Sequence, residues 1–125
     1  MSSCCPPGSE PARPTSPHTG ETKQFGQTNL YVAGPPPAKV GVLAFPDIFG
    51  VNSGRIKQNA DRLGEEGYAV VLVDVTKGDY FSEDTAIPTV IAQEGDWLAR
   101  TDYKKHVRQA IYRRCDLLSQ AGSAC

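Results

Sequence analysis

The residues best placed to do chemistry lie between Val40 and Asn52. Val40-Gly-Val-Leu-Ala-Phe45 carries no polar side chain, and Pro46-Asp-Ile-Phe-Gly-Val-Asn52 follows as a loop with one acid, Asp47. Ligands of open α/β sheets bind beyond the carboxyl ends of strands. A carboxylate there can take or hold a proton during a reaction. A second use stays open for Asp47, as a loop acid capping the helix that follows.

The other reactive side chains are less well placed. Cys125 lies in Gly-Ser-Ala-Cys, with no glycine after it and no strand before it, so it does not read as a nucleophile on a strand-to-helix turn. It reads as the start of a further strand. Cys115 falls on an apolar helix stripe and reads as a small core residue. His106 sits beside Lys105 outside that stripe, and His18 lies in the N-terminal region. Neither is positioned as a catalytic base. Asp74 ends a strand and reads equally as a ligand-side acid or the first residue of a turn. Lys77-Gly-Asp-Tyr80 reads as a turn, and Arg113-Arg114 as a solvated helix face.

The elements that must hold this loop are legible from periodicity. Residues 28–33 alternate as a first strand, with Leu30 and Val32 on one face and Tyr31 and Ala33 on the other. Gly34-Pro-Pro-Pro37 ends it, because proline cannot donate to a ladder. Val40–Phe45 is apolar on both faces, which suits a parallel sheet covered on each side. A helix is expected from Gly54 to Glu66, with Asn52 or Ser53 near its N-cap, an apolar stripe of Ile56, Ala60 and Leu63, and Gly67 as its C-terminal stop. Arg55, Lys57, Asp61, Arg62 and Glu65 fall largely outside the stripe. Tyr68–Asp74 is a further strand. Residues 75–100 read as an irregular loop interrupted by Pro88, with Trp97 anchoring its far end. A second helix is expected over Asp102–Gln120, on the stripe Tyr103, Val107, Ile111 and Cys115.

Composition narrows the class. At 125 residues the chain holds one domain, and 39% of it is hydrophobic. Residues 1–24 hold five prolines (Pro6, Pro7, Pro11, Pro14 and Pro17) and read as a Pro/Ser-rich tail, leaving 25–125 as the domain. The net charge of −1 and the lack of a basic stripe argue against nucleic acid. No apolar run approaches the ~18 residues of a membrane helix. No signal peptide is legible, which sets the expectation of a cytoplasmic protein. Cys4, Cys5, Cys115 and Cys125 show no metal-ligand spacing with either histidine, so no metal, cofactor or disulfide scaffold is expected.

Several segments together resemble the dienelactone hydrolase family: Cys-Cys-Pro-Pro-Gly near the start, Tyr31-Val-Ala-Gly-Pro-Pro, Pro46-Asp-Ile-Phe-Gly-Val-Asn52, Ala60-Asp-Arg-Leu with Gly67-Tyr-Ala-Val-Val, and Asp74 followed by Lys77-Gly-Asp-Tyr80. The resemblance implies the N-terminal half of an α/β-hydrolase-type sheet, with mostly parallel strands and flanking helices, truncated before the nucleophile strand. It implies a cytosolic esterase of the carboxymethylenebutenolidase kind, acting on an ester or lactone through a Cys–His–Asp triad and a covalent acyl-enzyme. By that resemblance Asp47 stands for a carboxylate, usually Glu, beside the nucleophile, and Ile48 for the backbone donor to the oxyanion. Lys77 lies near an arginine that binds a substrate carboxylate. The Cys turn, the Asp and the His would all fall beyond residue 125, so the fragment is expected to be inactive.

Two other classes compete. A non-catalytic half-domain or interaction module is the alternative; there the Val40–Phe45 strand, left unpaired on one edge, would drive self-association. A dinucleotide-binding module fits the strand–helix–strand order but fails on the loop, which contains no Gly-x-Gly-x-x-Gly.

Overall fold

Alternation of apolar side chains builds a four-stranded sheet, and one amphipathic helix covers one of its faces. The computed structural model describes residue 8 and residues 12–85 and 87–101. Its elements are β1 (Glu21–Phe25), β2 (Thr28–Ala33), β3 (Gly41–Ala44), α1 (Ile56–Glu65), β4 (Ala69–Val73) and α2 (Ile87–Arg100). The strands lie in the order β1-β2-β4-β3.

The sheet is mixed, where a mostly parallel one was expected. β3 pairs with β4 in parallel, while β1–β2 and β2–β4 are antiparallel. The cause is local. Gly26, at φ +59°, turns β1 straight back into β2 as a hairpin, and a tight turn can only join antiparallel strands. β3 and β4 are joined through α1, the long crossover that parallel pairing needs. Residues 21–24, read from sequence as part of the tail, make most of β1.

The two faces of the sheet form two apolar clusters. Tyr31, Ala33, Val70, Leu72 and Ala60 of α1 make one, extended by Val42, Ala44, Val51 and Ile56. Leu30, Val71 and Val73 make the other, with Val32, Leu43, Ala69 and Val75 against them. The alternation expected for β2 is therefore observed. Val70, Leu72 and Val73 are fully buried, and each contributes about 1.5–3 kcal/mol by leaving water. β3 is half-buried throughout, because among the described residues it lies at the edge of the sheet.

α1 ends as expected. Gly67, at φ +93°, donates to the Gly64 carbonyl at 3.0 Å, and Tyr68 N–H donates to the Leu63 carbonyl at 3.2 Å. This pair of bonds satisfies the last carbonyls of the helix. Its start and its buried face differ from expectation. The N-cap is Arg55, with no side-chain cap; Ser53 Oγ is engaged within the loop and the Asn52 side chain accepts from Lys57 Nζ. Leu63 is exposed, while Gln58, Asp61 and Gly64 are buried beside Ala60. The helix sits too close to the end of β2 for a large side chain there. A Cβ on Gly64 would lie 2.6 Å from the Gly34 nitrogen.

The polar residues on that face bind the segment before β1. Arg55 Nε donates to the Arg13 carbonyl at 2.8 Å. Gln58 Nε2 donates to Thr15 Oγ1 and Ser16 Oγ, each at 2.8 Å. Asp61 accepts from the Thr19 and Gly20 N–H groups at 3.1 and 3.0 Å, and from Tyr31 OH at 2.6 Å. Residues 55, 58 and 61 are three apart, so they line one side of the helix. Residues 13–20 are thus laid along α1 by a polar ladder that hydrophobic periodicity does not reveal.

Residues 75–100 are more ordered than expected. α2 begins at Ile87, and Pro88 sits in its first turn, where the missing N–H has no helical partner to lose. Trp97 anchors this region, as expected. It is buried, its Nε1 donates to the Asp79 carbonyl at 2.8 Å, and its ring meets Phe81 at 6.0 Å. The helix expected over Asp102–Gln120 lies outside the described residues, as do Cys4, Cys5, His106, Cys115 and Cys125. No helix among the described residues is long and apolar enough to cross a membrane.

Candidate functional site

β3 and β4 run in the same direction, so the loops that leave their carboxyl ends meet. The loop after β3 (46–54) and the one after β4 (74–80) are tied by Phe81 N–H donating to the Ile48 carbonyl at 2.9 Å. Glu83 adds a second tie, accepting from Gly54 N–H at 3.2 Å. Gly50, at φ +83°, packs under Tyr80; a Cβ there would come within 2.6 Å of the ring. Glycine is required at this point both for the backbone conformation and for the room it leaves.

Asp47 sits three residues past the end of β3 and is exposed. Its Oδ1 accepts from Phe49 N–H at 2.9 Å and from Ser53 Oγ at 3.5 Å, and its carbonyl accepts from Gly50 N–H at 3.1 Å. This is an aspartate turn closed on its own loop. It fixes the carboxylate in place and leaves Oδ2 with no bond to a described residue. Asp47 therefore organises its loop instead of capping α1.

Ile48 is half-buried and its carbonyl is taken by Phe81. Among the described residues, no group accepts from the Ile48 N–H. The peptide that carries this N–H is held on its other side, where the Asp47 carbonyl accepts from Gly50 N–H at 3.1 Å.

Lys77 lies on the neighbouring loop, after β4. It is exposed, sits at φ +55°, and its N–H donates to the Asp74 carbonyl at 3.4 Å. It is part of a tight turn built by Asp74. That acid is 2% exposed, and its Oδ1 accepts from Thr76 Oγ1 at 3.3 Å and Gly78 N–H at 3.2 Å. Of the two readings open for Asp74, the turn is observed, although the residue also borders a cavity.

That cavity, of about 190 Å³, lies beside the two loops and is lined by Asn29, Tyr31, Asn52, Lys57, Asp74 and Tyr80 among others. Lys57 spans its wall: Nζ donates to Asn52 Oδ1 at 2.6 Å and stands 5.3 Å from the centre of the Tyr31 ring. Lys57 is thus a cation that lines this polar space. The sequence signal was present but faint, since Lys57 falls in the first turn after the loop. Neither Asp47 nor Ile48 lines this cavity. A larger one, about 660 Å³, is formed by Phe25, Leu30, Val32 and Val71 on the sheet face away from α1 and does not reach the 46–54 loop.

Two electrostatic pairs frame the region. Burial alone would raise the Asp61 carboxyl, but hydrogen bonds from Tyr31, Thr19 and Gly20 outweigh it and hold the carboxyl below its ordinary range. Its partner Tyr31 is pushed up to about 12, first by burial and then by donating to Asp61. On the α2 side, hydrogen bonding from Arg100 at 3.0 Å lowers the Asp79 carboxyl.

Comparison with known proteins places these loops in a familiar setting. The model of the Dienelactone hydrolase family matches residues 28–118. An uncharacterized AIM2 family protein of Schizosaccharomyces pombe is 36% identical over 81 residues, covering 62% of this chain and 32% of the relative. A second one from the same organism is 33% identical over 112 residues, covering 87% and 44%. The chain spans less than half the length of these curated relatives. The solved structure of m3DLH is 24% identical, with a TM-score of 0.37, over 73% of this chain and 42% of that one.

Proposed function

The chain belongs to the dienelactone hydrolase family, and on that premise we propose that it supplies the supporting half of a site that hydrolyses ester or lactone bonds. In this reading a thiolate attacks the carbonyl carbon of a small-molecule substrate. The carbonyl oxygen takes up negative charge and the Ile48 N–H donates to it. Asp47 receives or holds the proton of the thiol as substrate enters. Being one methylene shorter than Glu, it reaches less far, and its aspartate turn sets the direction of that reach. The tetrahedral intermediate collapses with cleavage of the ester C–O bond, the alcohol or enol oxygen leaves, and water then hydrolyses the thioester to the acid and the free thiol. A cytoplasmic esterase of the carboxymethylenebutenolidase kind is the specific form of this proposal.

What carries the reading is the Ile48 N–H: no described residue accepts from it, while the Asp47 carbonyl of the same peptide is held by Gly50 N–H at 3.1 Å. In this reading Lys77 is the cation for a substrate carboxylate, and Lys57, which borders the polar cavity, is a second candidate. The 125 residues contain no Gly-x-Cys-x-Gly or Gly-x-Ser-x-Gly, so this stretch on its own is proposed not to turn over. A nucleophile turn of that form within a few tens of residues downstream, read from the transcript, supports the proposal. An open reading frame that continues without one counts against it.

The alternative of an interaction module is favoured by one observation: among the described residues no strand pairs with the outer edge of β3.

A further inference from the structure

The segment before β1 carries a hydroxyl that the candidate site does not use. Ser16 lies in Arg13-Pro-Thr-Ser-Pro17 and is exposed. Arg13 and Ser16 each precede a proline, which biases both toward extended backbone. A protein kinase takes its substrate in that form and reads charge placed around the accepting hydroxyl. Residues 12–20 lie in no helix or strand, so they can leave α1 by a local opening that spares the sheet.

Against α1 the same hydroxyl sits beside two arginines. Gln58 Nε2 donates to Ser16 Oγ at 2.8 Å and seats it on the helix. Arg55 and Arg62 stand three residues before and four residues after Gln58, so both are its neighbours on the helix surface. At 3.6 residues per turn the three side chains leave the helix within about 60° of arc. Arg55 is already turned to the segment, its Nε donating to the Arg13 carbonyl at 2.8 Å. Both arginines are exposed, and neither makes an ion pair among the described residues. Asp61, the acid of this side, lies beyond Gln58 from both of them, and Tyr31, Thr19 and Gly20 occupy its oxygens. Through those bonds this flank of α1 is tied to β2 and to the start of β1, at the opposite end of the sheet from β3.

We propose that Ser16 is a phosphorylation site, and that Arg55 and Arg62 take the phosphate and clamp residues 13–20 onto α1. The co-reactant is ATP, held by a serine/threonine protein kinase that accepts proline after the serine. Ser16 Oγ attacks the γ-phosphorus, the bond from that phosphorus to the β–γ bridging oxygen breaks, and ADP leaves. The hydroxyl proton passes to the aspartate of the kinase, and nothing is oxidised or reduced. The product carries close to two negative charges and three acceptor oxygens, and opposite arginines such a group forms new charge-assisted bonds that order a segment. The proposal does not depend on the hydrolase reading, because it uses only the segment before β1 and one flank of α1.

Two measurements on the 125-residue chain test it. Incubation with MgATP and a proline-directed serine/threonine kinase should add one phosphate, mapped to Ser16 by fragmentation mass spectrometry and absent from Ser16→Ala. Phosphoserine is then installed at position 16 during synthesis, so that the clamp is read whatever the yield of the kinase. Amide exchange at Thr19 and Gly20 should slow by at least about tenfold relative to the unmodified chain, the effect of one charge-assisted bond. Arg62→Gln, whose guanidinium has no bond to the segment, should leave exchange of the unmodified chain unchanged and cut the slowing by about threefold or more. All of these positions are on the surface, and circular dichroism verifies that the variants fold. Phosphate on Thr15 or Thr19 but not on Ser16, or no phosphate at all, overturns the assignment of the site. Exchange that phosphoserine leaves unchanged or speeds, or a slowing that survives Arg62→Gln in full, overturns the clamp.

Discussion

Replacing Asp61 by alanine should be among the most damaging single changes at a polar position, although the residue is a helix aspartate with no apolar role. Its carboxylate is 6% exposed and accepts from Tyr31 OH at 2.6 Å and from two backbone N–H groups of the preceding segment. A hydrogen bond to a charged acceptor contributes about 1.5–3 kcal/mol. The two N–H groups lie on an exposed segment and can turn to water, so they add little. The total is about 2–3 kcal/mol, or about 10 °C or more in Tm for a domain of this size. Tyr31→Phe should lose a similar amount. The double variant should fall short of the sum by at least about 1 kcal/mol, because both singles break the same bond. Urea unfolding of the four proteins measures this coupling, and amide exchange at Thr19 and Gly20 reports release of the segment. An Asp61→Ala loss below about 0.5 kcal/mol, or a strictly additive cycle, would refute the reasoning.

The same pair sets a pH dependence. The Asp61 carboxyl is held low in the folded protein, so its contribution is present above the unfolded value of about 4 and is lost as pH falls through the folded value. Tyr31 is raised from 10.0 to about 12, so its contribution is present below pH 10 and lost as pH rises toward 12. Urea midpoints across pH should show both flanks in the wild type, with the acid flank reduced in Asp61→Ala. Gly64→Ala should cost about 1–3 kcal/mol in the same assay, because its Cβ meets backbone that cannot yield. Trp97→Phe should cost about 1 kcal/mol through the lost bond to the Asp79 carbonyl, and should speed amide exchange across α2 before the sheet is affected.

Much of the sheet was legible because β2, β3 and β4 announce themselves by apolar alternation or continuity, and α1 by its glycine stop. Two things were hidden for physical reasons. Pro88 reads as a breaker, yet in the first turn of a helix it removes no bond, so α2 looked like loop. The Asp61 ladder escaped because periodicity scores apolar residues. A buried carboxylate satisfied by Tyr31 and two backbone donors leaves the same trace in sequence as a solvated one. In the candidate site, the position of Asp47 followed from the strand before it. The spare donor of Ile48 belongs to the backbone and has no signature of its own. Lys57 had no such strand-end signal: Asp74 sets the turn that carries Lys77, while α1 brings Lys57 to the cavity.

The most direct test of the central claim is aryl-ester hydrolysis by the purified 125-residue chain. On the proposed reading the attacking group is not in this stretch, and no rate above the buffer blank is expected. Turnover that disappears on Cys125→Ala would contradict the account, since the attacking group would then lie within this chain.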